Sequence, residues 1–212
     1  MSNHVPLLSS KHLTCIRQDR VLFEDLNFEL SAGDIIQVEG PNGVGKTSLL
    51  KILAGLSFAN EGDVLYRGKN IQQQAEEYRQ NLLYLGHQPG VKGELTAEEN
   101  LEFSLALHGQ TVADTEQTLS EVDLAGFEDV YASQLSAGQH RRIALGRLWQ
   151  STQKIWILDE PFTAIDKSGV SKLEKLFLNH IQQGGAIILT THQDFNLIAS
   201  HVTKLTLQYR FD

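Results

Sequence analysis

Gly40-Pro41-Asn42-Gly43-Val44-Gly45-Lys46-Thr47 decides the fold. The stretch has the form Gly-x-x-x-x-Gly-Lys-Thr, a P-loop. Its glycines let the backbone wrap a phosphate so that consecutive N–H groups point inward. A helix starting behind it adds its positive N-terminal end. Lys46 is then placed to neutralise β- and γ-phosphates, and the Thr47 hydroxyl to meet Mg2+. Gly40, Pro41, Asn42, Gly43, Val44, Gly45, Lys46, Thr47 and Ser48 are candidate nucleotide-binding residues, with ATP and Mg2+ as the ligands. The alternative is a glycine-rich turn carrying a surface lysine, and the flanks disfavour it. Ile35-Ile36-Gln37-Val38 before the loop reads as a strand. Leu49, Leu50, Ile52, Leu53 and Leu56 after it recur at helical spacing, with Gly55 as a stop signal.

Further out, the same strand-then-helix rhythm continues. The first sixty or so residues read as strands with short turns. Leu26-Asn27-Phe28-Glu29-Leu30 alternates apolar and polar, and turns are expected at residues 31–34 and 60–63. Short strands are expected from there to about Gly86. Residues 96–130 are acidic and rich in helix formers, so they predict an inserted helical segment. Leu101, Phe103, Leu105 and Leu107 also alternate, which keeps a strand open as the competing reading. A helix carrying Ile143, Leu145 and Leu148 should follow Leu135-Ser136-Ala137-Gly138-Gln139. Residues 154–159 form a buried strand that ends in an acid. Val170, Leu173, Leu176, Phe177 and Ile181 mark an amphipathic helix ending near Gly184. Residues 186–191 form the next strand. The expected fold is α/β, with a mostly parallel sheet and crossover helices.

The strand Ile155-Trp156-Ile157-Leu158-Asp159-Glu160 completes the candidate site. Parallel sheets bind ligands at the C-terminal edge of their strands, where this one delivers two carboxylates. Asp159 is placed to hold Mg2+, and Glu160 to polarise the water that attacks the γ-phosphate.

Composition bounds the rest. The chain has 212 residues, 41% of them hydrophobic and 21% charged, which fits one globular domain. Its formal net charge of −8 argues against a nucleic-acid partner. The single cysteine, Cys15, excludes an intrachain disulfide and a cysteine-based zinc site. The first ten residues are polar and are not expected to be a signal peptide. The longest apolar runs are far short of the ~20 residues that cross a bilayer.

The motifs in their order resemble the ATP-binding-cassette family. Gln88 matches the glutamine loop, Leu135-Ser136-Ala137-Gly138-Gln139 the signature, Thr163-Ala164-Ile165-Asp166 the D-loop, and His192 the lone histidine after a strand. The resemblance covers about residues 8–208. It implies a P-loop cassette in which residues of about 90–150 form a helical subdomain inserted in the RecA-like core, with antiparallel strands at the N-terminus. It implies two copies packed head to tail around two ATP molecules, with Ser136, Gly138 and Gln139 of one copy on the γ-phosphate held by the other. Gln88 would join Thr47 and Asp159 around Mg2+, His192 would assist Glu160 in catalysis, and Asp166 would link the two sites. Two departures stand out. Ala137 replaces the first glycine of the signature pair. No aromatic occupies the adenine platform, where Arg17 either stacks on the base or is a solvated turn residue.

Within the family, Gly86-His87-Gln88-Pro89-Gly90, the Arg141-Arg142 pair after the signature, and Trp156 to Asp166 resemble the ATP-binding subunits of bacterial cytochrome c maturation systems. That resemblance implies integral-membrane transporter subunits as partners and a place on the cytoplasmic face of the inner membrane. ATP would drive haem export or the release of a haem-loaded carrier. No Cys-x-x-Cys-His is present, so any haem falls to the partners. A cassette serving another exported substrate is the open alternative.

Overall fold

The computed structural model describes residues 5–107, 109 and 114–209. The N-terminal strands β1 (Leu8–Arg17) and β2 (Arg20–Leu30) pair antiparallel. With β4 (Glu61–Tyr66) and β5 (Lys69–Asn70) they form a four-stranded sheet in the order β2-β1-β4-β5. A second sheet has the order β6-β7-β8-β3-β9, every neighbouring pair parallel. Its strands are β3 (Ile35–Glu39), β6 (Leu82–Leu85), β7 (Ile155–Asp159), β8 (Ala186–Thr190) and β9 (Val202–Thr206).

The central strands are buried on both faces, as parallel strands covered by crossovers must be. β7 shows the consequence of a period of two. Ile155 and Ile157 join one apolar cluster, which holds Leu8 and Leu30 of the first sheet and Leu49 and Leu53 of helix α1 (Lys46–Leu53). Trp156 and Leu158 join the other, with Leu101 of α3 (Ala97–Ala106), Leu119 of α4 (Thr115–Glu121), Leu145 of α5 (Ala137–Gly146) and Phe177 of α6 (Lys167–Gln182). The inserted helices α3, α4 and α5 pack on one another on that second face.

Most helix ends are written in the sequence. Thr96 and Glu99 make a reciprocal capping box at α3, as Ser136 and Gln139 do at α5. Asp114 and Asp166 cap α4 and α6 through their side chains. The helical reading of residues 101–107 is the correct one: Leu101 and Leu105 are buried, while Phe103 and Leu107 are 41% and 69% exposed. The expected stop after the P-loop helix also occurs, with Gly55 at φ 70 just past its end. Leu56 therefore lies beyond the helix and is exposed.

Two expectations need correction. Residues 60–63 are not all turn, because β4 starts at Glu61 and pairs with β1. The stretch up to Gly86 is not all strand, because α2 (Ala75–Gln80) interrupts it. A six-residue helix that buries one side chain, Tyr78, leaves no periodicity to read. Residues 108 and 110–113 of the expected helical segment lie outside the described residues.

His180 of α6 stacks on Trp156 with ring centroids 3.7 Å apart and planes 10° from parallel. Its buried Nε2 has no hydrogen-bond partner, and burial lowers its pKa from 6.5 to about 4, against a weaker upward pull from the backbone of Lys154 and Ala186. Between those values the unfolded chain binds a proton that the folded chain refuses, so stability falls as pH falls. The contribution is complete above about pH 6.5 and declines toward pH 4, by about 3 kcal/mol in all. Urea midpoints at pH 7 and pH 5 should therefore differ less in His180→Phe than in the parent chain. An equal shift in both would remove His180 as the cause.

Candidate functional site

Sheet register assembles the site. Val38 pairs with Thr190, and Thr190 with Asp159, so the ends of β3, β8 and β7 lie level at one edge of the sheet. The P-loop leaves that edge from β3. Gly40 turns there at φ +144, and a Cβ on it would come within 2.4 Å of the Leu207 carbonyl oxygen. Gly45 enters α1 in the left-handed region at φ 112. The first backbone bond of α1 runs from the Leu49 N–H to the Gly45 carbonyl. The amides of its first turn therefore have no acceptor within the helix, and they face the loop with the positive end of the dipole. The Lys46 ammonium donates to the Gly40 carbonyl at 2.6 Å and the Pro41 carbonyl at 3.3 Å.

Asp159 ends β7 at this edge and is 3% exposed. Its Oδ2 accepts from the Thr47 hydroxyl at 2.9 Å, and its Oδ1 from the Thr190 hydroxyl at 2.7 Å. The Glu160 N–H in turn donates to Thr190 Oγ1 at 2.9 Å. Glu160 is left-handed, at φ 51, and its Oε1 lies 3.6 Å from His192 Nε2. Thr47 and Asp159 present hard oxygen donors side by side, the set that suits Mg2+.

A cavity of about 300 Å3 opens over these groups, walled by Gly43, Lys46, Thr47, Ser48, Asp159 and Glu160. His87 and Leu22 also face it. Gln88 instead lines an adjoining cleft of about 470 Å3, together with Thr47, Lys51 and Arg147. The residue in the glutamine loop that borders the phosphate cavity is thus His87.

The other candidates occupy different places. Ser136, exposed at the start of α5, accepts from the Gln139 N–H, and Gln139 Oε1 accepts from the Ser136 N–H. Gly138 lies beside Ala164 of the D-loop, with room for a Cβ 3.8 Å from it. Asp166 accepts from the Gly169 N–H at 2.9 Å. Arg17 is engaged by the loop before β4: it donates to Ser57 Oγ, the Phe58 carbonyl and Asn60 Oδ1, and to its neighbour Ile16.

Three residues near the phosphate loop escape a sequence reading. Thr190 is one of two consecutive threonines at a strand end, and only the register shows which of them meets Asp159. Tyr209 follows β9 and donates its hydroxyl to the Asn42 carbonyl of the P-loop. Arg20 lies over the Tyr209 ring at 4.8 Å. No local pattern connects residues so far apart in the chain.

Comparison with known proteins agrees with this geometry. The ABC transporter family matches residues 23–163. The cytochrome c biogenesis ATP-binding export protein CcmA of Colwellia psychrerythraea is 58% identical over 211 residues, covering 99% of this chain and 96% of that protein. A solved ATP-binding subunit of an ABC transporter superposes with a TM-score of 0.84 at 24% identity, over 96% of this chain and 88% of the other. A dimeric, post-hydrolysis ATP-binding cassette bound to ADP and phosphate gives 0.79 at 21% identity, over 96% and 97%. With its P-loop, acidic strand and signature helix folded as a cassette, the chain belongs to the ABC transporter family, as an ATP-binding and ATP-hydrolysing member.

Proposed function

We propose that the chain is the ATPase subunit of a complex in the bacterial inner membrane that matures c-type cytochromes, and that it works as an ATP-bridged pair of copies. The near-full-length relative named as a cytochrome c biogenesis ATP-binding export protein supports the biological setting. The bond from Thr47 to Asp159, which joins the P-loop to the acidic strand, carries the chemical reading.

MgATP enters with its phosphates over the amides of the P-loop. Lys46 turns from the Gly40 carbonyl to the β- and γ-phosphates, exchanging a neutral acceptor for a charged one. Thr47 and Asp159, with Gln88 from the adjoining cleft, would hold Mg2+, which would supply charge neutralisation to the phosphates. Glu160 orients and deprotonates the attacking water, and His192, 3.6 Å from its carboxylate, contacts the same water and the γ-phosphate. The γ-phosphate takes the water oxygen, and ADP leaves with the electron pair of the broken P–O bond. Ser136, Gly138 and Gln139 of the second copy close over the γ-phosphate with another helix N-terminus. Asp166 links the two sites. A dimeric cassette of the same fold accords with this arrangement.

Integral-membrane subunits dock where Gln88 opens to the surface. No helix among the described residues is long and apolar enough to cross a membrane. Exposed Leu56 and Leu107, at 63% and 69%, flank a cleft of about 900 Å3 that also holds Arg79 and Arg147. It shares Tyr84 and Arg147 with the cleft of Gln88, so the docking surface touches the nucleotide site through the glutamine loop. Apolar rims around Arg79, Arg147 and Glu76 suit an amphipathic helix that carries charges of both signs.

Deleting the gene and staining for haem should remove c-type cytochromes and spare other haem proteins. Unchanged cytochromes would favour a cassette for another exported substrate. Lys46→Ala should leave the fold intact, greatly weaken MgATP binding or turnover, and fail to restore the cytochromes. Restoration to parental levels would count against an ATP-driven role.

Glu160→Gln should cut hydrolysis by ~10²–10⁴-fold with ATP binding almost unchanged. Light scattering should then show ATP, and less so ADP, shifting that variant from monomer toward dimer. Hydrolysis at the parental rate would take Glu160 out of the role of base. Leu107→Asp should leave ATP binding intact yet release the chain from membranes that contain its partners, as read by fractionation. Tight association of the chain with membranes lacking those partners would sink the docking assignment.

A further inference from the structure

Arg141 lies one turn into α5, behind the exposed signature residues, and is only 6% exposed. Its Nη1 donates to the Gly86 carbonyl at 2.7 Å. Its Nη2 donates to the Asp159 carbonyl at 2.6 Å and the Glu160 carbonyl at 2.9 Å. A buried guanidinium is expensive to desolvate, and a Leu or Met would fill the same space at less cost. Its Nε is buried with no partner at all, so the position is not optimised for stability. Burial also holds its basicity below the usual arginine range, while the charges of Asp159 and Glu160 act the other way.

The three carbonyls share one property: each belongs to a segment that borders the phosphate cavity. Gly86 begins the turn that carries His87 to the cavity wall and Gln88 to the cleft beside it. Asp159 ends β7. Glu160 is a non-glycine residue at φ 51, a conformation that persists only when its surroundings enforce it. That enforcement comes from both sides of the residue. Its N–H is held by Thr190 Oγ1, and its carbonyl accepts from Arg141 and from the Thr163 N–H. A lysine would replace the planar fork only in part, since one ammonium does not span donors that diverge toward carbonyls from two separate segments.

We propose that Arg141 is a positioning residue: its guanidinium locks the left-handed kink at Glu160, and the Gly86–Gln88 turn, onto the signature helix, so that the Glu160 carboxylate is aimed at the attacking water. The proposal rests on Glu160 being the base. It makes no contact between Arg141 and the nucleotide, so its effect falls on the rate and not on the capture of ATP.

The test is a double-mutant cycle on the full chain with Arg141→Gln, Glu160→Gln and both together, plus Arg141→Lys. Turnover and KM for MgATP are measured, with the binding of a fluorescent ATP analogue and amide exchange of the nucleotide-free proteins. Arg141→Gln should lower kcat by about 10²-fold, the scale of an ångström-sized misplacement, with analogue binding within about threefold of the parent. Arg141→Lys should recover part of kcat. Exchange should quicken at the amides of residues 86–90 and at Glu160 and Thr163, while the rest of the sheet stays protected. The double variant should be no slower than Glu160→Gln alone.

Parental turnover in Arg141→Gln, with Glu160→Gln impaired, would overturn the clamp and leave the base standing. Parental turnover in Glu160→Gln would overturn the base and the clamp with it. Multiplying defects would show that Arg141 acts elsewhere than through Glu160. Loss of analogue binding with exchange quickened across the whole sheet would reduce Arg141 to a support of the fold.

Discussion

A buried carboxylate between two threonine hydroxyls holds this molecule's chemistry together. Asp159 is almost fully removed from water, and a carboxylate left unpaired there would cost several kcal/mol. Thr47 and Thr190 each donate to one of its oxygens, from a helix start and a neighbouring strand end. Thr47 and Asp159 are 112 positions apart in the chain. Their bond fixes the distance between the phosphate-binding loop and the acid that faces it. The order β7-β8-β3 makes the bond possible, because β8 inserts Thr190 between the two strands that carry function.

Preorganisation recurs around that centre. The course of the P-loop is set by Gly40 and Gly45, which take backbone conformations that a side chain would strain. The signature end of α5 is a closed capping box, and the D-loop ends in a capped α6. Both exposed ends are therefore shaped within the single chain. Electrostatic catalysis depends on such groups being aimed in advance, since nothing then reorganises as charge develops. Lys46 is the exception: it rests on the loop's own carbonyls, and the proposed mechanism requires it to turn away from them.

Much of this was legible in order along the chain. Residues 40–47 declare a phosphate site because its glycines, lysine and threonine fall at fixed spacing within one short stretch. Strands β7 and β8 are short apolar runs with polar ends, and α6 carries its buried stripe at Leu173, Phe177 and Ile181. Where local signals conflicted, packing decided. Leu101, Phe103, Leu105 and Leu107 fit a strand by alternation, yet the Thr96 cap and contacts with α4 and α5 make them a helix. The short helix α2 had no stripe to betray it, and Glu61 joined β4 because β1 offered a partner edge.

At the site, the sequence by itself determined the residue types: an anion-binding loop, two consecutive carboxylates, a helix-capping serine and a lone histidine. These are properties of neighbours in the chain, so short-range pattern and side-chain chemistry suffice to read them. Only the tertiary structure decided which of them meet. It put His87 on the cavity wall and Gln88 in the cleft beside it, engaged Arg17 with a distant loop, and brought Tyr209 to the P-loop. It also buried Arg141 against the backbone of Glu160. Such contacts are set by strand order, register and the need of each buried polar group for a partner, and these depend on the whole chain at once.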